Sequence, residues 1–328
     1  MHARALTTLL GAGVTAGAAV AVHAVAETRR FELREVSVPL LPDGHEPLRV
    51  LHLSDLHLTP GQRRKQEWVS TLAALEPDLV VNTGDNLSHR DSLAAVLDAL
   101  GGLLDVPGVF VLGSNDYFAP VPRNPLRYLL PDDGSRNTTS EQLAWREMKR
   151  AFDEAGWIDL DNARAAFPVG RTSFSFVGVD DPHLEYDRLE DVSGLADPTA
   201  DVRLGITHAP YLRVLDQFAT DGYDAVLAGH THGGQVCLPG GRALVTNCDL
   251  EPARVRGLHR HPADSRPDEP GSSWLHVSAG LGTSPYAQVR LSCRPEATLL
   301  TLTPRPAVVA GAHRAASATG PTRGRGSS

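Results

Sequence analysis

The chain has 328 residues and a formal net charge of -8 at pH 7. That length allows one large domain with a hydrophobic core of ordinary size, and we expect a domain of about 250 residues with tails. The negative charge excludes a protein that binds nucleic acid mainly by neutralising phosphates, because such proteins present a basic surface.

The first predicted element is an apolar segment at the N-terminus. From Ala5 to Ala26 the sequence has no Lys, Arg, Asp or Glu, and this length suits a helix that spans a membrane. The small residues AVA at 24–26 also fit the cleavage site of a signal peptide. We therefore expect residues 1–26 to anchor the protein to a membrane, with a removed signal peptide and secretion as the alternative.

The rest of the chain divides into three predicted parts. Residues 27–47 form a connector with one edge strand from Phe31 to Val38, residues 48–304 form the organised domain, and residues 305–328 form a tail. The tail has few apolar residues and no period, so we expect it to be disordered.

The first half of the domain alternates strands and helices. Strands are predicted for LRVLHLSD, for DLVVNTGD at 78–85 and for GVFVLGSND at 108–116. Helices are predicted from Glu67 to Leu75 and from Asp91 to Leu100, with Asp91 as the cap. This βαβαβ order favours a parallel sheet covered by helices. The proline-rich stretch 119–142 indicates a lid or binding loop, and a helix from Leu143 to Glu154 follows it.

The second half is predicted to consist mainly of strands. The segments TSFSFVGVDD, VRLGITHAP, DAVLAGHTH, WLHVSAGLG and EATLLTLTP have this pattern, with a helix from Tyr211 to Ala219 between two of them. His259 and His261 have the spacing of a metal-binding pair but lie in a segment typical of a solvated loop. The VGVDDPH segment, with Asp180, Asp181 and His183, favours a turn, with an extension of the metal site as the alternative. His52 is interpreted as a core histidine.

The three cysteines, Cys237, Cys248 and Cys293, form no CxxC pair. We interpret them as buried small apolar side chains. A disulfide between Cys237 and Cys248 is the alternative for an exported domain.

Polar motifs follow the predicted strands. They are LSDLH with Asp55 and His57, TGDN with Asp85, GSND with Ser114, Asn115 and Asp116, THAP with His208, and GHTHGG with His230 and His232. Each motif alone is typical of a turn or a helix cap. Together they predict a metal site, because burying so many polar groups at the strand ends is costly unless cations pair them.

The order of these motifs resembles that of the calcineurin-like metallophosphoesterases, D-x-H, G-D, G-N-H-D or E, H and G-H-x-H. The resemblance covers residues 48–304, and PLRVLHLSDLH after an apolar segment is similar to the membrane-anchored or exported bacterial branch. It implies an α/β (α+β) fold, a four-layer αββα sandwich of two mixed β-sheets flanked by helices, with an N-terminal hydrophobic helix. The alternation of predicted strands and helices favours a purely parallel sheet instead.

The resemblance also implies a binuclear metal site. Asp55, His57 and His232 would hold one ion, His208, His230 and an amide of the GSND segment would hold the other, and Asp85 would bridge them. Carboxylate, amide and imidazole ligands suit Mn, Fe or Zn. The implied reaction is hydrolysis of phosphomonoesters or phosphodiesters by a hydroxide held between the ions. Membrane attachment suggests a lipid-linked phosphoester; the oligomeric state is left open.

The GSND segment departs from the family pattern. Counting from the strand, Ser114 stands where the family has its ligand amide, and Asn115 stands where the family has a histidine. We favour Asn115 as ligand because a carbonyl oxygen binds metals better, with Ser114 as the alternative. The family's histidine is associated with charge stabilisation or with protonation of the leaving group, and Asp116 is the predicted substitute. The predicted catalytic residues are Asp85, Asn115 and Asp116.

Two other functions remain open. A non-catalytic or single-metal relic of the same scaffold would act as a membrane-associated binding protein. A metal-dependent amide or peptide hydrolase is disfavoured, because the sequence has no HExxH motif.

Overall fold

The computed structural model describes residues 17–122, 134–266 and 269–306. Its strands are β1 (Glu32–Leu41), β2 (Leu48–Leu53), β3 (Leu79–Asn82), β4 (Gly108–Phe110), β5 (Ile158–Asp159), β6 (Ala163–Val169), β7 (Thr172–Gly178), β8 (Val202–Thr207), β9 (Ala225–Ala228), β10 (Gly257–His261), β11 (Ser273–Val277) and β12 (Glu296–Pro304). Its helices are α1 (17–27), α2 (Arg63–Ser70), α3 (Leu93–Leu100), α4 (Ser114–Tyr117), α5 (Trp145–Glu154), α6 (Leu189–Val192) and α7 (Leu212–Thr220).

The strands form two six-stranded sheets in the orders β1-β12-β2-β3-β4-β5 and β10-β11-β9-β8-β7-β6. Both sheets are mixed. In the first, β12 runs antiparallel to β2 and parallel to β1. In the second, the β6-β7 and β10-β11 pairs are antiparallel while the pairs between them are parallel. The expectation of two mixed sheets is confirmed, and the purely parallel sheet is wrong because the last strand inserts into the first sheet.

Three apolar cores account for the layers. Side chains such as Val50 and Phe176 fill the space between the two sheets. On the outer face of the first sheet, α2, α3 and α5 contribute side chains such as Val69, Val96 and Phe152. The second sheet buries its outer face against α7. Helices therefore flank the two sheets on both sides, as the resemblance implies.

Several predicted boundaries move by a few residues. Ser92, not Asp91, immediately precedes α3. The strand predicted to continue through GSND ends at Phe110, and Ser114 to Tyr117 form a helical turn. The segment with His259 and His261 is strand β10 rather than a loop. His261 is buried there and bonds Asp216 at 2.7 Å, so the histidine spacing in this segment has a structural cause.

The predicted connector contributes the edge strand β1, which pairs with β12 along its length. Most of the predicted apolar segment, residues 1–16, lies outside the described residues, as do residues 123–133 of the predicted lid and 307–328 of the tail. Within the described ranges, no helix has both the length and the apolar composition needed to cross a membrane.

No disulfide joins the cysteines of the described part of the chain, so the Cys237 to Cys248 alternative is wrong. The Cys237 thiol instead donates to the Gly233 carbonyl at 3.2 Å. Cys237 and Cys293 are buried in a small apolar cluster, as expected for small apolar side chains.

A pair of buried histidines joins the two sheets. His52 of β2 and His276 of β11 approach within 2.9 Å through their Nδ1 atoms. Burial lowers the pKa of His276 to about 3. Folding therefore requires a neutral His276, whereas the unfolded chain protonates it below its ordinary pKa of about 6.5.

This pair predicts a loss of stability in acid. As pH falls from about 7 to about 5, the unfolded chain gains a proton at His276 that the folded chain does not accept, which costs about 2 kcal/mol. Urea unfolding of the metal-free protein should show that this loss is smaller by that amount in His276→Phe. An exposed control, His89→Phe, should follow the wild type. Equal losses in wild type and His276→Phe would contradict the assignment.

Candidate metal centre

The motifs that follow β2, β3, β8 and β9 meet at one edge of the sandwich. The loops after β2 and β3 are joined directly, because the Asp55 amide donates to the Gly84 carbonyl at 2.8 Å and the His57 amide to the Asp85 carbonyl at 2.9 Å. From the second sheet, the His230 amide donates to Asp55 Oδ2 at 3.0 Å. The strand-end placement predicted from sequence thus brings side chains of both sheets together.

A first cluster consists of Asp55, His57 and His232. Asp55 Oδ1 lies 3.9 Å from His57 Nε2 and 3.6 Å from His232 Nε2. One ligand atom from each side chain falls within 4.8 Å of the other two, close enough to hold one cation. These are the three residues expected to bind the first ion.

A second cluster consists of Asp55, Asp85 and His208, whose ligand atoms also lie within 4.8 Å of one another. His208 Nε2 is 3.5 Å from Asp85 Oδ2, which is 3.4 Å from His57 Nε2 in the first cluster. Asp55 thus belongs to both clusters, and Asp85 of the second lies next to His57 of the first; the bridging role expected for Asp85 stays a prediction. His230 adjoins the second cluster, with its Nδ1 3.3 Å from His208 Nε2.

Several atoms of the clusters are buried without a hydrogen-bond partner among the residues described. They are Asp55 Oδ1, His57 Nε2 and His230 Nε2. Buried polar atoms nearly always have a hydrogen-bond partner, so three that have none in one place indicate a ligand-binding site. A divalent cation fits this set, because imidazole nitrogen and carboxylate oxygen are common ligands of transition metals.

Neighbouring groups orient three of the histidines. His208 Nδ1 lies 2.6 Å from the Thr83 carbonyl and His232 Nδ1 lies 3.1 Å from the Gly282 carbonyl. Since a carbonyl can only accept, the His208 ring carries hydrogen on Nδ1 and directs Nε2 towards Asp85. His232 Nδ1 also has the Arg290 guanidinium at 3.4 Å, and these two contacts direct its Nε2 towards Asp55. His57 Nδ1 has the Ser88 hydroxyl at 3.0 Å as its partner. Such outer contacts hold the ring orientation of metal-binding histidines.

The backbone at these positions is strained. Positive φ angles occur at five of the predicted ligands, listed here with their values: Asp55 (51°), His57 (42°), Asp85 (57°), His230 (68°) and His232 (49°). This conformation is uncommon outside glycine and clusters at functional sites. Glycines provide the room for it: a Cβ at Gly113 would collide with Asp85 and His208, and one at Gly229 with Ser54.

The GSND segment places its asparagine, not its serine, against Asp85. The Asn115 backbone N–H donates to Asp85 Oδ1 and its side-chain amide to Oδ2, both at 2.7 Å. Ser114 Oγ lies 3.4 Å from the Asn115 amide nitrogen. Asn115 therefore contacts Asp85 of the second cluster, and the choice between Asn115 and Ser114 as ligand stays a prediction.

Asp116 is completely buried and faces backbone groups. Its Oδ2 accepts from the Asp85 and Gly113 N–H groups at 2.8 and 3.1 Å, and its Oδ1 accepts from Asn86 and Leu87 at 2.7 and 3.0 Å. These four bonds hold the Asp85 loop against the turn after β4. They give Asp116 a positioning role, while the predicted proton transfer from this residue stays a prediction.

The metal-free cluster has strongly shifted pKa values. Burial lowers the pKa of His57 to about 4 and that of His232 to about 3, against the opposing charges of Asp85 and Asp55. Burial also lowers the pKa of His208, but Asp85 outweighs it and raises that pKa well above the ordinary value. The neutral imidazoles of His57 and His232 are in the protonation state that binds a metal.

Three further residues contact the clusters or the loops that carry them. Arg290 is buried and donates to the Ala279 and Gly282 carbonyls at 2.7 Å, behind His232. Lys65 is buried and donates to the Leu56 carbonyl at 2.7 Å, within the Asp55 loop. The ring of His183 lies 4.4 Å from that of His230. Tertiary packing creates the contacts of Arg290 and Lys65, so their spacing in the sequence gives no signal.

The VDDPH segment does form a turn, since the His183 amide donates to Asp181 Oδ1 at 2.9 Å. The turn also brings His183 next to His230, where the alternative interpretation of this segment expects it. Asp181 Oδ2 is buried and has no hydrogen-bond partner within the described ranges.

The fold and the cluster together define a two-sheet α/β protein with a buried carboxylate and imidazole site. The family model of the calcineurin-like phosphoesterases matches residues 48–234, and the chain belongs to this family.

Similar proteins cover most of the chain. The uncharacterized metallophosphoesterase YkoQ of Bacillus subtilis (strain 168) is 28% identical over 260 residues, which is 78% of this chain and 83% of the relative. The phosphodiesterase YaeI of Escherichia coli (strain K12) is 27% identical over 281 residues, 83% of this chain and 88% of the relative. A transmembrane protein with metallophosphoesterase domain from Danio rerio is 27% identical over 217 residues, 62% of this chain and 44% of the relative.

The contacts of Asp116 predict the effect of Asp116→Asn. An amide at this position accepts through only one of its two polar atoms, so buried backbone N–H groups of the Asp85 loop lose their partner, at about 1 to 3 kcal/mol each. We expect the free energy of unfolding, measured with urea, to fall by about 2 to 5 kcal/mol. The exposed control Asp98→Asn should stay within about 0.5 kcal/mol of wild type. Lost hydrolysis with unchanged stability would instead support proton transfer by Asp116.

Proposed function

We propose that the protein is a metal-dependent phosphoesterase that hydrolyses phosphomonoesters or phosphodiesters at a binuclear site. Membership of the calcineurin-like phosphoesterase family supports a hydrolase that acts on a phosphoester. The observation that carries the binuclear proposal is the pair of buried ligand clusters that share Asp55 and adjoin through Asp85.

The residues divide between two ions. Asp55, His57 and His232 would hold the first, and His208, His230 and Asn115 the second, with Asp85 between them. Two divalent cations, Mn, Fe or Zn, would supply Lewis acid polarisation of a phosphate oxygen and lower the pKa of a water molecule. The described cysteines contribute no thiolate to either cluster; a closed structural zinc site is therefore disfavoured.

Neighbouring residues of the protein hold the proposed metal ligands in fixed positions. Ser88, Thr83 and Gly282 hold the imidazole rings, and Asp116 holds the loop of Asp85. Ligands fixed in this way need little rearrangement when charge develops on the phosphoryl group. Burial and the Asp85 charge raise the pKa of Asp116 to about 7, which suits a general acid, but four N–H donors already occupy its oxygens. We therefore favour a positioning role for Asp116.

A single-metal or non-catalytic relic is the second candidate. The altered GSND segment is the observation that favours it, because the second ion depends on this segment for its amide. The other four motifs are intact and meet in space, so we prefer the enzyme.

Metal analysis and one substitution separate these candidates. We expect two transition-metal ions per chain in the purified protein and hydrolysis of chromogenic monoesters or diesters with added Mn. Asp85→Asn should lower kcat/KM by at least about a hundredfold, since even outer partners of a metal site contribute 10- to 100-fold. Asp98→Asn is the control. One bound ion per chain, or none, would favour the relic. Hydrolysis at an unchanged rate in Asp85→Asn would contradict the proposed mechanism.

The asparagine at position 115 predicts a strong dependence on the leaving group. Without the family's histidine, an acid contribution of about 10² to 10⁴ is missing for poor leaving groups. Rates should therefore fall steeply from nitrophenyl to phenyl esters. Asn115→His should flatten that dependence, whereas Asn115→Ala should not. Equal rates across the series in the wild type would contradict this hypothesis.

We also propose that residues 1–26 attach the protein to a membrane and that its substrate is a lipid-linked phosphoester. The name of the Danio rerio relative, a transmembrane protein, supports attachment. Secretion after cleavage near Ala26 is the alternative. Fractionation of cells should recover the full chain with membranes and a variant without residues 5–26 in the soluble fraction. A secreted protein whose N-terminus lies near Glu27 would favour the alternative.

A further inference from the structure

A chain of buried hydrogen bonds leads from the second sheet to the first ligand cluster. His276 Nδ1 lies 2.9 Å from His52 Nδ1, and His52 Nε2 lies 3.0 Å from Thr83 Oγ1. The Thr83 hydroxyl donates to Ser54 Oγ at 2.7 Å, and the Ser54 hydroxyl donates to Asp55 Oδ2 at 2.5 Å. All five side chains are at most 1% exposed.

The Asp55 carboxylate at the end of this series of hydrogen bonds determines which group is the donor in each of them. An ionised Asp55 only accepts, so Ser54 donates to it and must accept from Thr83. Thr83 has then used its single hydrogen and accepts from His52, which therefore carries hydrogen on Nε2. His52 Nδ1 is the acceptor that remains, so His276 carries hydrogen on Nδ1.

This direction matters for the two oxygens of Asp55. Oδ2 accepts from both the Ser54 hydroxyl and the His230 amide, at 2.5 and 3.0 Å. Oδ1 is buried, has no hydrogen-bond partner in the described part of the chain and faces His57 and His232. The chain of donors thus holds one oxygen and leaves the other to a cation.

We propose that His276, His52, Thr83 and Ser54 form a positioning relay that orients Asp55 and thereby sets the metal affinity of the first cluster. The relay is defined by these four residues, and it rests on the metal site under the proposed function. Its hydrogen bonds strengthen one another in a buried environment, because each donor is polarised by the next towards the carboxylate.

The fold alone gives no reason for a polar chain here. His52 and His276 come from different sheets, and His276 lies beside apolar side chains of the core between them, such as Val50 and Leu227. A pair of apolar residues would fill such a position without the cost of desolvation. Burial lowers the pKa of His52 and that of His276, the latter to about 3, so both rings stay neutral, as the direction of the protons requires.

The test interrupts the relay at its centre without changing its shape. Thr83→Val keeps the side-chain volume but removes both the acceptor for His52 and the donor to Ser54. Thr298→Val is a matched control, since Thr298 is buried on the neighbouring strand β12, pairs in register with His52 and has no partner for its hydroxyl within the described ranges. Thr83→Ser retains the hydroxyl and should restore the relay.

Calorimetric titration of the metal-free proteins with Mn²⁺ gives the first measurement. We expect Thr83→Val to weaken one of the two binding steps about tenfold, the lower end of the range for outer partners of metal sites. Thr298→Val and Thr83→Ser should bind as the wild type does, within about twofold. Ser54→Ala should cause the same loss as Thr83→Val, and the double variant should lose no more, because both changes break one chain.

A second measurement reads the relay directly. In metal-free protein with ¹⁵N-labelled histidine, NMR should show hydrogen on Nε2 of His52 and on Nδ1 of His276, and Thr83→Val should change the His52 signals while Thr298→Val does not. Hydrogen on Nδ1 of His52 would overturn the relay. So would an unchanged Mn²⁺ affinity in Thr83→Val or Ser54→Ala.

These measurements need no substrate. If Mn²⁺ affinity depends on the relay as expected but the protein cleaves no phosphoester, the proposed function is refuted and the relay is supported. If the protein cleaves phosphoesters but Thr83→Val leaves its Mn²⁺ affinity unchanged, the proposed function is supported and the relay is refuted.

Discussion

The burial of two carboxylates, those of Asp55 and Asp85, in one place is the constraint on which the site depends. Asp55 is inaccessible to solvent, and one of its oxygens has no hydrogen-bond partner in the described ranges. Desolvating a carboxylate costs several kcal/mol unless an opposite charge compensates it. Two neighbouring imidazoles that burial keeps neutral provide lone pairs rather than charge. A cation satisfies both needs together.

The two-sheet fold makes this concentration of polar groups possible. Strands β2 and β3 of the first sheet and β8 and β9 of the second end at one edge, and the loops that follow contact each other through backbone hydrogen bonds. Glycines at the crossing points give the backbone room that any side chain would fill. The apolar cores therefore carry the stability, and the strained loops carry the chemistry.

The sequence predicts most of the candidate ligands because their motifs follow predicted strands and match the order of the family pattern. Asp55 and Asp85 come from such positions, and the structure brings them together as expected. The arrangement of the sheets was harder to predict from the sequence. The last strand, β12, lies between the first two strands, β1 and β2, although almost the whole domain separates them along the sequence. The alternation of strands and helices contains no information about that insertion. Only the resemblance to a family indicated a mixed sheet.

Outer contacts of the site were the hardest part to predict. Asp116 looks like a catalytic acid by position, yet its bonds to four backbone N–H groups depend on how two loops pack. His183 resembles an ordinary turn residue, and the turn is real, but its ring also adjoins His230. His52 was expected in the core, where it lies, while its partner His276 on the other sheet had no motif at all.

Anomalous X-ray diffraction from crystals grown with Mn²⁺ tests the central claim most directly. Two peaks should appear, one surrounded by Asp55, His57 and His232 and the other beside Asp85 and His208. A protein that binds no Mn²⁺ at this edge, or binds it at a distance from Asp55, would contradict the claim that paired cations hold these side chains together.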